Sequence, residues 1–241
     1  MDASTAAQRT AAAVSTIGSH FMLDGATYKR GAELGFQGLD FYVTGRGGVL
    51  GEVDADVVAA GFAFFEPGAV RTLWEQGCSV MPAVEAASEF ATCCSTWAET
   101  HVPDELDAAR LAELAGAVVA AARPACAPVF AGWRAMEVPD DPKAAAVHQL
   151  NVLRELRNGL HAAAVISAGL SPLEALSIKT PHMVPLFGWA AAGDVDGLQE
   201  RWDAAEAQTD RSITHAYEGL DDAGRAELAE LADALHDATK G

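Results

Sequence analysis

The chain has 241 residues, enough for one large domain or two small ones with a proper core. Its formal net charge of −18 repels polyanions at long range, which argues against nucleic acid and anionic membrane surfaces as partners. Half of the residues are hydrophobic, alanine above all, and β-branched runs are scarce, so the expected fold is an all-α multi-helix bundle with little or no β-structure.

The elements follow in order. Residues 3–21 are alanine-rich and read as a first helix, and 26–34 as a second, with Gly35 as its C-cap. GFQGLDFYVTGRGGVLG, rich in glycine and aromatics, is assigned no helix. Asp54 reads as the cap of a helix through VVAAGFAFF, which Pro67 ends or restarts. A longer helix is expected over 82–100. Pro103, Asp104 and Glu105 read as the first turn of a helix that continues to Pro124. Its apolar positions recur at three- and four-residue spacing, so one face is buried.

The proline-rich stretch 124–142 reads as an ordered loop or as the boundary between two helical halves, 1–123 and 124–241. A single compact domain is the alternative, and Phe130 and Trp133 suggest that the stretch packs down. A central helix over 142–168 ends at Gly169. Ser171-Pro172-Leu173-Glu174 then matches a capping box with proline in the first turn. Two further helices are expected over 195–219 and 223–239, the last amphipathic. MDASTAAQRTAAAV at the N-terminus lacks a basic region followed by an apolar block, and no apolar run approaches the roughly 18 residues of a membrane span. The expected location is cytoplasmic.

The central helix raises the functional question. RELRNGLHAAAV (154–165) places Arg154, Arg157 and His161 where a core prefers leucine. At about 100° per residue these three share a face with Val147 and Leu150, while Glu155 points away. A buried guanidinium must be paired or face a wet cavity. Either both arginines meet core carboxylates and His161 donates to a carbonyl, or the helix lines a pocket for an anionic or polar ligand. Arginine suits carboxylate, sulfate or phosphate, because its planar fork binds two oxygens at once. Histidine adds a proton donor or acceptor near neutral pH. A break at Asn158-Gly159 would let backbone approach the ligand.

Other stretches carry weaker signals. GRGGVLG (45–51) lacks the order of a phosphate loop, so Arg46 reads as exposed on a tight turn or as reaching into the pocket. His20 and Asp24 lie one turn apart, but two ligands do not make a metal site, and no metal is expected. Cys78, Cys93, Cys94 and Cys126 form no CxxC pair and read as reduced, buried thiols. There is no GxSxG elbow. Phe62, Phe64, Phe65 and Trp74 read as core or as an apolar wall, with Phe65 the candidate ligand contact; Trp189 and Trp202 share that ambiguity. AGLSPLEALSIKT is similar to the turn and second helix of a helix-turn-helix. That helix offers Glu174, Ser177, Lys179 and Thr180 rather than a basic reading face.

Four stretches carry a resemblance: IGSH (17–20), GFQGLDFYVTGRGGVLGEV with VVAAGFAFFEPGAV, HQLNVLRELRNGLHAAAVISAGLSPLEAL, and EAQTDRSITHAYEGLDDAGRAELAELADAL. Together they resemble an actinobacterial helix-turn-helix-like, winged-helix-like family. Members carry an acidic residue between the glycine and the arginine that precede the histidine; Asn158 and Leu160 depart from that pattern. The stretch where a winged-helix hairpin would follow, SIKTPHMVPLFGWAAAGDVDGL, is also short. Both departures weaken a regulator role, whereas His20, Arg46, Arg154, Arg157 and His161 suit a ligand site. In size and composition the chain is also similar to aziridine-forming proteins of azinomycin-type antibiotic pathways.

The leading expectation is therefore an enzyme of specialised metabolism that needs no redox cofactor and acts on a small polar or anionic metabolite. Displacement of sulfate by an internal amine is one example. Arg154, Arg157 and Arg46 would hold the anion beside Asn158 and Phe65, and His161 or His20 would move a proton. Asp40 and Glu66 are weaker candidates for orienting an amine. The alternatives are a ligand-binding regulator, expected as a homodimer, and a non-catalytic subunit bound to a pathway protein.

Overall fold

The computed structural model describes residues 1–240. Among these residues the chain forms twelve α-helices, three short 3-10 turns and no strand. The helices are α1 (Ala3–His20), α2 (Gly25–Leu34), α3 (Asp40–Gly47), α4 (Ala55–Phe62), α5 (Pro67–Val80) and α6 (Ala83–His101). They continue with α7 (Ala108–Ala121), α8 (Pro128–Ala135), α9 (Pro142–Ser167), α10 (Pro172–Lys179), α11 (Gln199–Tyr217) and α12 (Asp222–Ala238).

Local chemistry sets most of these ends. Asp24, Asp54 and Asp141 accept hydrogen bonds from the first free N–H groups of α2, α4 and α9. Gly35 closes α2 in the left-handed region at φ 103°. Before α10, Ser171 and Glu174 bond reciprocally as a capping box. Three expectations need correction. The glycine-rich stretch after Gly35 contains α3, whose start is fixed by Asp40 accepting from the backbone of Gln37 and Phe41. Residues 103–105 precede α7 rather than begin it, because Asp107 is the residue that caps it. The proline-rich stretch holds α8, with Pro128 in its first turn and Phe130 and Trp133 fully buried.

Helix α9 is the axis of the molecule, and α1, α6, α7, α8 and α11 pack around it. Every residue from Ala144 to Leu156 except Arg154 is buried. The helix is enclosed on all sides and carries no polar outer stripe. Gly18 lets α1 come this close: a Cβ there would lie 2.9 Å from the Leu150 carbonyl oxygen. The main hydrophobic core runs from Ala6 to Leu235 and joins helices from both ends of the chain. A smaller cluster of Ala164, Val165, Leu170, Ala175, Trp202 and Ala205 ties the end of α9 to α10 and α11.

Helices α9 and α10 meet at 111° across a short turn that contains Gly169, the geometry of a helix-turn-helix. No hairpin follows; the segment 180–198 is a 3-10 turn and irregular chain leading to α11. Among the described residues no single helix is long and apolar enough to cross a membrane. All four cysteines are free. Burial raises the Cys94 thiol well above its usual range, but Cys126 is exposed and Cys78 half-buried, contrary to the expectation of uniformly buried thiols.

Candidate functional site

The site lies where α9 meets α10, α11 and the turn between α4 and α5. Arg46, in the last turn of α3, is 2% exposed rather than on the surface. It donates from Nε and Nη2 to the two carboxylate oxygens of Glu155 at 2.7 and 2.8 Å, and from Nη1 to the Tyr42 hydroxyl at 3.3 Å. Phe62 lies under its guanidinium at 4.3 Å. Burial works against the charge, but Glu155 and Tyr42 hold the Arg46 pKa above its ordinary value. For Glu155, burial pushes the carboxyl up, and Arg46 and Arg154 outweigh it and keep it ionised. The expectation that Arg46 holds a ligand anion gives way to a protein ion pair, because Glu155 occupies its fork. The face assigned to Glu155 is likewise corrected: its side chain is fully buried.

Arg154 is the next residue on α9 and differs in kind. Its Nη1 donates to Glu155 Oε1 at 2.7 Å, and among the described residues its Nε and Nη2 meet no protein acceptor. Arg157 is tied to α11, with Nη2 donating to Glu206 at 3.0 Å and Nη1 lying 3.3 Å from Asp210. Lys179, at the end of α10, has no carboxylate partner among the described residues and sits 5.9 Å from the centre of the Trp202 ring. Four cations thus meet three carboxylates; among the described residues Arg154 and Lys179 keep donors without a protein acceptor, and Arg157 Nη1, buried 3.3 Å from Asp210, also makes no hydrogen bond.

His161 lies one turn beyond Arg157, against Phe64 and Trp202. Thr209 Oγ1 donates to the Ala205 carbonyl at 2.7 Å, so its oxygen accepts from His161 Nδ1, 2.9 Å away. This fixes the proton on Nδ1 and leaves Nε2 as the basic nitrogen, 3.6 Å from Glu206. Burial, reinforced by Arg157 and Lys179 and opposed by Asp210, lowers the His161 pKa to about 4. At neutral pH the ring is therefore uncharged.

These groups border a cavity of about 160 Å³ whose aromatic walls include Tyr42, Phe64, Phe65, Phe187 and Trp202. Arg154, Asn158, His161 and Lys179 stand between it and an open cleft of about 630 Å³ along α1. Asn158 lines both spaces and makes no side-chain hydrogen bond among the described residues. Phe65 is 5% exposed and stacks on Phe187 at 4.2 Å.

The structure thus brings Arg46, Phe65, Arg154, Asn158 and His161 to one cavity, and Arg157 to the adjoining cleft. His20 lies elsewhere, beside Trp97 and near His101 and His236; burial and those two histidines lower its pKa. It borders neither space, so a role in moving protons at this site is withdrawn. Asp40 accepts from the Gln37 N–H at the start of α3, Glu66 caps α5, and neither lines the cavity. No break occurs at Asn158-Gly159, because α9 runs through it. Gly159 instead admits the 126–127 backbone, which would lie 2.7 Å from a Cβ there. Sequence reasoning missed Glu155, Tyr42, Phe187 and Lys179 as parts of the site. A signal existed for Glu155 alone, since a buried arginine demands a carboxylate.

Searches of curated proteins and of solved structures gave no match. A family model does match: it spans residues 7–205 and so includes α9, α10, the turn between them and the cavity-lining residues from Tyr42 to Trp202. By that match over most of its length, and with its two helices at 111°, this chain belongs to a helix-turn-helix family.

Proposed function

We propose that the chain binds a small metabolite through an anionic group and acts on it without a redox cofactor. The observation that carries this reading is local charge. In a chain of net −18, one cavity and the cleft beside it gather four cations against three carboxylates and leave donors of Arg154 and Lys179 free for a guest. The aromatic walls exclude water and strengthen that attraction.

His161 supplies the orientation: a neutral imidazole, bonded to Thr209 through Nδ1, whose Nε2 can accept a hydrogen bond from an amine. The reaction this equipment suits is the displacement of a sulfate ester by an internal amine. The nitrogen lone pair attacks carbon, and the carbon–oxygen bond breaks. Sulfate leaves with the bonding pair toward Arg154 and Lys179, and the ammonium proton passes to water in the cleft, with His161 Nε2 accepting a hydrogen bond from the amine. An aziridine of specialised metabolism is the product of such a closure.

Calorimetric titration with methyl sulfate tests binding. Arg154→Ala and Lys179→Ala should each weaken it at least tenfold, while His20→Ala leaves it unchanged; equal affinity in all four proteins overturns the reading. NMR detection of free sulfate from vicinal amino-alkyl sulfates tests the reaction, and no release above the buffer rate across such a panel removes that chemistry.

Family membership favours a second reading, a ligand-binding regulator. Against it, the second helix of the motif turns Ala175 and Leu176 into the cavity, and thirteen acidic residues face four lysines or arginines after residue 190. Retardation of DNA in a gel shift at low salt would favour the regulator over the enzyme.

A further inference from the structure

Three neighbouring spaces share the Arg154 side chain. They are the aromatic chamber of about 160 Å³, the cleft of about 630 Å³ along α1, and a side chamber of about 130 Å³ lined by Met22, Leu39, Met183 and Leu186. The stacked pair Phe65–Phe187 borders both chambers and stands between them as a shared wall. Arg154 is therefore a junction: its Nη1 is anchored on Glu155, and its remaining donors are free for what enters.

The two larger spaces differ in chemistry. The chamber is walled by Tyr42, Phe62, Phe64, Phe65, Phe187 and Trp202, with Ala175 and Leu176 from α10. An apolar cavity of about 150 Å³ admits a benzene-sized guest, so this one holds a single ring. The cleft is polar. Ser15, Thr16 and Ser19 on α1 face Arg157, Lys179 and Glu206 across it. An anion lodged wholly inside the chamber would lose its hydration against aromatic walls, and a ring left in the cleft would stay wet.

We infer that the ligand is an amphiphile: a ring-sized apolar group seated in the aromatic chamber, joined within a few bonds to an anionic group that remains at Arg154 and Lys179 and faces the cleft. This deepens the proposed function and rests on its claim that the site takes an anion. It adds the substrate class, a sulfate or carboxylate borne on a six-membered ring or a group of like size.

The test compares methyl sulfate, phenyl sulfate, cyclohexyl sulfate and benzyl alcohol by calorimetry with the full chain. Both ring sulfates should bind at least tenfold tighter than methyl sulfate, since about six ring carbons leave water. Benzyl alcohol should bind more weakly than either ring sulfate. Ala175→Leu, which fills the chamber, should abolish the ring advantage, so that ring sulfates and methyl sulfate bind this variant alike. Thr180→Met at the chamber wall serves the same purpose if Ala175→Leu fails to fold, as judged by circular dichroism. Equal binding of methyl and ring sulfates overturns the inference and leaves the proposed function standing. A ring advantage that survives filling also overturns it. If no sulfate binds, or if benzyl alcohol binds as tightly as phenyl sulfate, the anion reading falls and this inference falls with it.

Discussion

At the scale of single residues, the decisive pair is Arg46–Glu155. Each side chain is nearly or fully buried, and neither charge would persist alone. Replacing Glu155 with Gln should therefore destabilise the fold by about 3–5 kcal/mol, because Arg46 is left uncompensated. The double change Arg46→Met with Glu155→Leu should recover much of that loss. Denaturant midpoints of the three proteins check this, and a neutral Glu155→Gln would show that water reaches the pair. The same pair limits what sequence reading can do. Placing Arg154, Arg157 and His161 on an inward face was legible from helical spacing. Separating Arg46 and Arg157, which meet protein carboxylates, from Arg154, which keeps free donors, was not. That distinction depends on Glu155, Glu206 and Asp210, and two of these lie on another helix far along the chain.

At the scale of elements, the legible helices were those with a chemical start. Asp54 and Ser171 announce α4 and α10 in the sequence and cap them in the structure. Helices α3 and α8 were hidden because glycine and proline dominate their composition; tertiary burial of Phe41, Phe130 and Trp133 stabilises them instead. The assumption that a helix has one polar face failed for α9, which has neighbours all around. Helix α10 is short, and its capping box matters in proportion. Ser171→Ala should lower stability by about 1 kcal/mol. It should also weaken methyl sulfate binding, because α10 carries Lys179 and one cavity wall. A thermal melt and a titration of the same variant separate the two effects; unchanged affinity would mean that α10 holds its place without its cap.

At the scale of the whole molecule, acidity sets the solution behaviour and two buried histidines set the response to acid. Burial lowers His148 to about 4, and His161 is lowered to about 4 by burial and nearby cations. Both lie below the unfolded value of 6.5, so the unfolded chain takes up protons first as pH falls. Their stabilising contribution is complete above the unfolded value and is lost between there and about 4. From neutral pH to roughly one and a half units below the unfolded value, the loss should reach about 4 kcal/mol for the pair. Denaturant midpoints across that window should fall, and His148→Asn with His161→Asn should flatten the slope; a flat profile in the unmodified chain would contradict the assigned burial.

Of the two arginines that line the cavity, Arg46 gives its fork to Glu155 and Arg154 keeps donors for a guest. NMR of the arginine Nε–Hε groups during a methyl sulfate titration reads this directly. The Arg154 resonance should show a saturable shift, with Arg46 held on Glu155 and Arg157 on α11 little changed. A shift confined to exposed arginines such as Arg71, rising without saturation, would contradict it.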